Sequence, residues 1–152
     1  MVRDILIYKD NKEKLTQKSE EVKEITEEIK ILIQDLKDTL NIHKDGVGIS
    51  AIQIGIPKQV CVIKINNQIY TLINPKITRT RGEVFFEEGC LSVPNKIVKV
   101  KRAQKVWCTY TNEEGKEKEL SEGGLCSIII QHELDHFEGT CPLFEEEENI
   151  NE

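Results

Sequence analysis

Apolar residues recur at helical spacing in one N-terminal stretch and at alternate positions in several central ones. Ile25, Ile29, Leu32, Ile33, Leu36 and Leu40 fall three and four apart, which marks one buried face of a helix over residues 26–43. Thr26 stands before Glu27 and Glu28 as a cap with acids in the first turn. His43 and Lys44 close the other end, where positive charge suits the helix dipole, and Gly46 follows as a stop. His43 therefore reads as a surface helix-end residue rather than a ligand.

Strand-like runs follow. QVCVIKI (59–65) and QIYTLI (68–73) flank Asn66-Asn67, a hairpin turn. KIVKVK (96–101) and KVWCTYT (105–111) come next, and NEEG (112–115) turns the chain toward KEKEL. A second helix is expected over 123–138. Its run LCSIII (125–130) is too apolar for a surface helix, so it should be buried on several sides. The acidic EEEENINE (145–152) reads as a frayed tail. The pattern predicts an α+β fold. One domain, residues 1–144, should place antiparallel β-sheets and hairpins around a buried C-terminal helix.

Composition narrows the function classes. A formal net charge of −6 argues against a nucleic-acid binder driven by phosphate contacts. The locally basic KIVKVKRAQK (96–105) reads as the solvated face of a strand. The N-terminus lacks a signal peptide's apolar core, and no run approaches the ~18 apolar residues of a membrane helix. Five cysteines, an odd number without a C-x-x-C pair, suit reduced thiols better than a disulfide framework. The expectation is a cytoplasmic protein without a membrane partner.

The chain has three histidines, and two of them lie in QHELDHFEG (131–139). Residues four apart share a helix face, so His132 and His136 can present ring nitrogens to one metal ion. Glu133 lies one residue's rotation aside, within reach of a metal-bound water. H-E-x-x-H on a helix carries this hydrolytic logic. A chance pair of surface histidines fits poorly with the apolar run before it.

A catalytic metal needs a third protein ligand and an open position. The metzincin extension fails at Pro142, and only sixteen residues follow His136, so the third ligand should lie upstream. Cys90, in EEGCLSVP (87–94), is the best candidate, because a thiolate binds zinc-like or iron ions strongly. Cys61, Cys108 and Cys126 lie in apolar strand or helix contexts and read as small buried hydrophobes. GVGISAIQIG (46–55) stands out as well. Its paired glycines permit close backbone approach, and Gln53 adds an amide donor. Alone it would pass for an ordinary loop.

The three stretches together resemble the peptide deformylase family. GVGISAIQ resembles that family's Gly-x-Gly-x-Ala-Ala-x-Gln, EEGCLS its Glu-Gly-Cys-Leu-Ser, and QHELDH its Gln-His-Glu-x-Asp-His, in the same order. The resemblance implies a divalent metal on Cys90, His132 and His136. Fe2+ is the expected ion in the cell, with Zn2+, Ni2+ or Co2+ possible in preparations. It implies Glu133 as the proton carrier, with Gln53 and the Leu91 backbone N–H facing the developing oxyanion. It further implies that Gly48 and Glu88–Gly89 bind the peptide backbone, and that Leu125, Ile128 and Ile129 line a methionine pocket. Asp135 and Glu88 would support the ligands, with Arg102 as partner to Glu88. The implied activity is removal of the formyl group from N-formylmethionyl peptides or nascent chains, releasing formate.

Departures from the family pattern are Ser50 for the first alanine, Ile97 where some members carry a substrate-touching arginine, and FEGTCPLFEEE after the last motif. Ribosome association and oligomeric state are left open. A weak deformylase homologue, a broader metalloamidase or metallopeptidase, and a non-catalytic metal-binding domain are the alternatives.

Overall fold

The chain runs α1 (Tyr8–Leu15), α2 (Glu27–Ile42), β1 (Gly48–Ser50), a 3-10 turn (Ala51–Ile54), β2 (Val60–Ile65), β3 (Gln68–Arg81), β4 (Val84–Cys90), β5 (Val93–Arg102), β6 (Lys105–Thr111), β7 (Glu117–Gly123), α3 (Gly124–Phe137) and α4 (Pro142–Ile150). This computed structural model describes residues 1–150, with side chains through Glu148. Strands β1-β2-β3-β6-β7 form one antiparallel sheet, and β4-β5 form a separate hairpin. The expected α+β architecture is the one observed.

Strand β2 explains how the sheet is covered. Its residues Val60 to Ile63 are all buried. Alternate residues point to opposite faces. Val60 and Val62 pack with Ile29, Leu32, Ile33, Leu36 and Leu40 of α2. Cys61 and Ile63 pack with Cys126, Ile129 and Ile130 of α3 on the other face. Each fully buried aliphatic side chain contributes roughly 1.5–3 kcal/mol, so these two faces hold the fold together. Helix α3 is thus apolar nearly all round until it reaches its histidines.

Local signals account for the turns. Thr26 caps α2 by accepting from the Ile29 N–H. Asn66 and Asn67 take φ of 51° and 65°, as a two-residue hairpin requires. Strand β3 continues past residue 73, where the sequence suggested an end. The register with β6 shifts between Ile73 and Lys76, which accommodates Pro75 as a bulge. Asn74 there donates to the Val22 carbonyl and accepts from the Val22 N–H.

The acidic segment departs from its reading as a frayed tail. Residues 142–150 form α4, because Leu143 and Phe144 are buried against Tyr8 and Leu15 of α1. Phe144 stacks on Tyr8 at 4.1 Å, and Glu148 accepts from the Tyr8 hydroxyl and pairs with Lys12. Residues 151–152 lie outside the described residues.

Candidate metal centre and active site

Helix α3 sets His132 and His136 one turn apart, with their Nε2 atoms separated by 3.3 Å. Cys90, the last residue of β4, brings its Sγ within 3.5 Å of His136 Nε2. A fourth donor joins them: Cys141 Sγ lies 4.0 Å from His132 Nε2, and all four donor atoms fall within 4.8 Å of one another.

Cys141 reaches this place through the end of α3. Gly139 adopts φ +76° and donates to the His136 carbonyl, while Thr140 donates to the Asp135 carbonyl. These two bonds form a Schellman motif, which ends the helix and reverses the chain.

The imidazoles are oriented from outside the cluster. His132 Nδ1 lies 2.8 Å from Glu88 Oε1. An ionised carboxylate only accepts, so Nδ1 carries a proton, and Nε2 is the nitrogen turned toward the cluster and the one that would bind a metal. Arg102 donates to both Glu88 oxygens, at 2.7 and 2.8 Å, and to Asp135 at 2.7 Å. Burial alone would raise the Glu88 carboxyl, but Arg102 and His132 outweigh it and hold it at about 2. The Asp135 side chain thus reaches the cluster through Arg102 and Glu88. Among the described residues, His136 Nδ1 is buried without a hydrogen-bond partner, and its Nε2 faces the other donors. Two imidazole nitrogens and two sulfurs at this spacing make a donor set that suits a thiophilic divalent metal ion.

Glu133 sits beside this cluster and is 3% exposed. Burial pushes its carboxyl up to about 7, against the opposing effects of His132 and Ser50. Ser50 Oγ lies 3.0 Å from Glu133 Oε1. A methyl at Gly48 would stand 2.7 Å from Glu133 Oε2, so the glycine makes room for the carboxylate. Gln53 is fixed by the Ser50 N–H on its Oε1, and its Nε2 donates to Ser92 Oγ at 3.1 Å and toward Cys90 Sγ at 3.7 Å.

A cavity of about 700 Å³ opens onto these groups. Gly48, Gln53, Glu88, Gly89, Cys90, Leu91, Leu125, Ile128, Ile129, His132 and Glu133 all border it, so the structure gathers nearly every residue singled out in the sequence. The exceptions are His136, which belongs to the donor cluster and is fully buried, and the supporting pair Asp135 and Arg102 behind it. Ile97 is 69% exposed on β5. His43 caps the end of α2 as expected, and it also borders the cavity. Sequence reasoning missed Ser50, Ser92 and Cys141. For Cys141 the available signal was its position five residues after His136, beyond a glycine suited to reversing the chain.

Fold and donor set define an α+β protein built around an H-E-x-x-H helix, with further thiol donors from a strand and a turn. A family model for polypeptide deformylases matches residues 2–146. The chain belongs to the polypeptide deformylase family. The peptide deformylase of Nitrosococcus oceani is 44% identical over 95 residues, a match spanning 60% of this chain and 57% of that relative. The match thus covers little more than half of the relative's length. The peptide deformylase structure from Thermotoga maritima superposes with a TM-score of 0.88 at 30% identity, covering 94% of this chain and 96% of that one. The Synechococcus elongatus peptide deformylase, solved in complex with actinonin, gives 0.86 at 33% identity, with 95% and 82% covered.

Proposed function

We propose that this protein hydrolyses the N-formyl group from the N-terminal formyl-methionine of newly made peptides, releasing formate. The observation that carries this reading is the placement of Glu133, buried beside the Cys90–His132–His136 donors and open to the cavity.

Cys90, His132 and His136 hold the metal, with ferrous iron as the ion in the cell. When bound, the metal acts as a Lewis acid toward water and the formyl carbonyl. Glu133 takes a proton from the attacking water and delivers it to the leaving amine nitrogen. A carboxyl near 7 suits both duties at neutral pH. Gln53 turns an N–H from Cys90 to the carbonyl oxygen, joined there by the Leu91 backbone N–H. Strand β1 is the edge of the main sheet, and β4 pairs only with β5 among the described residues. Gly48 on β1 and Glu88–Gly89 on β4 border the cavity, so a peptide can bind as an added strand between them. Leu125, Ile128 and Ile129 receive the methionine side chain. The setting is the cytoplasm, where nascent chains supply the substrate.

The test is formate release from a formyl-methionyl tripeptide by anaerobically purified protein. Turnover of the formyl peptide, with little on its acetyl counterpart, is the expected result. Comparable rates on both would make a broader amidohydrolase the better reading. No formate at all, from protein carrying one metal per chain, would leave a metal-binding domain.

A further inference from the structure

We propose that Cys141 is a fourth protein ligand of the metal centre, so that the resting site is a Cys2His2 set built from Cys90, Cys141, His132 and His136. The proposal rests on the metal-centre reading above and deepens it.

Geometry is the first argument. Metal–nitrogen bonds of about 2.0–2.1 Å and metal–sulfur bonds of about 2.3 Å in a tetrahedron set two nitrogens about 3.3 Å apart and nitrogen about 3.5 Å from sulfur. The two histidine nitrogens are 3.3 Å apart, and Cys90 Sγ lies 3.5 Å from His136 Nε2. Cys141 Sγ lies 4.0 Å from His132 Nε2, about half an ångström beyond the ideal edge.

Direction is the second argument. Cys90, His132, Glu133 and Gln53 border the cavity, whereas Cys141 is 4% exposed among Tyr8, Leu15, Leu143 and Phe144. The second thiol therefore approaches from the core side and leaves the cavity side to substrate. A buried thiol with only apolar neighbours would be a space-filler. Cys141 differs because its sulfur adjoins His132 Nε2, a nitrogen already turned toward the other donors.

The third argument is chemical. Catalytic centres keep three protein ligands, and four-ligand sites with two thiolates are the tightly held ones. A second thiolate shifts preference toward soft ions such as zinc. This chain should therefore retain zinc more firmly than three ligands would, and Cys141 must yield or stretch when the site works.

The experiment uses the full chain loaded with zinc or cobalt. X-ray absorption at the zinc edge of the wild-type protein counts sulfur ligands without any substitution, and two are expected. Cobalt-loaded Cys141→Ala should keep one metal per chain and show about half the thiolate-to-metal charge-transfer absorption of wild type. Its zinc affinity, read by chelator competition, should fall at least ~10-fold, since even a ligand's outer partner is worth that much. One sulfur in the wild type, or an unchanged spectrum and affinity in Cys141→Ala, would overturn the proposal and leave a three-ligand centre standing. If the wild type takes up no stoichiometric metal, the metal-centre reading fails and this proposal fails with it.

Discussion

Ser50 Oγ donates to the Glu133 carboxylate at 3.0 Å and lies 3.2 Å from the Glu133 backbone carbonyl. Ser50 is fully buried, so water does not compete for this contact. The hydroxyl stabilises the ionised carboxylate and partly offsets the rise that burial imposes. Ser50→Ala removes that offset, so the Glu133 carboxyl should rise further. The acid limb of the kcat/KM profile should then move to higher pH, with metal content unchanged and a rate loss below about tenfold at the optimum. A hydrogen bond to a charged group is worth roughly 1.5–3 kcal/mol, an upper bound on the effect. An unmoved acid limb would show that Ser50 only fills space.

Glu133→Gln keeps the size of the side chain and its contact with Ser50 but cannot carry a proton. We expect full metal content and a loss of at least ~10²-fold in kcat, the low end for general acid–base catalysis. Metal analysis and turnover on the same preparation decide the matter. A folded variant without metal would make Glu133 a ligand instead.

Gly139 has no room for a side chain. A methyl there would lie 2.3 Å from the Thr16 carbonyl oxygen, and its φ of +76° is left-handed. Gly139→Ala should cost roughly 3 kcal/mol or more, the upper range for backbone strain alone. In a domain of this size that lowers Tm by roughly 10 °C. Gly115→Ala is the comparison, because φ is +81° there but the nearest atom stands at 3.7 Å. Its loss should be clearly smaller. Equal losses would mean that the contact with Thr16 relaxes at no cost.

Arg102 neutralises the buried Glu88, and its removal leaves that carboxylate with His132 as its remaining partner. Arg102→Met should destabilise by about 3–5 kcal/mol at neutral pH, as losing one partner of a buried pair does. Glu88 is held at about 2 rather than 4.5. A depressed carboxyl stabilises the fold above its unfolded value and loses that contribution as pH falls through its folded one. The gap between wild type and variant should be full above about pH 5 and shrink by roughly half by pH 3. Urea unfolding of the metal-stripped proteins at pH 7, 5 and 3 measures it. A gap independent of pH would assign the role of Arg102 to packing.

Much of the architecture could be read from the chain because its signals were local. Six apolar residues at helical spacing announced α2, and Asn66-Asn67 announced a hairpin. Helix α1 was missed because YKDNKEKL buries only Tyr8 and Leu15, which is too few to show a period. Its stability depends on Phe144, far along the chain. Strand β4 was missed because Phe85 and Phe86 are exposed and only Glu88 is buried along its middle. A charge pointing inward makes sense only once Arg102 and His132 are known to meet it. Cys90, His132 and His136 were legible as a group through three ordered motifs. Cys141 was not, since Gly139 hints at a reversal of the chain but not at where the reversed chain places the thiol.

Cys90 belongs to the β4–β5 hairpin, whereas His132 and His136 belong to α3, and these two pieces of backbone lie in no common sheet. A metal bound to all three is therefore also a clasp between them. Loading the site should thus slow hydrogen exchange along β4, and stripping the metal should restore it.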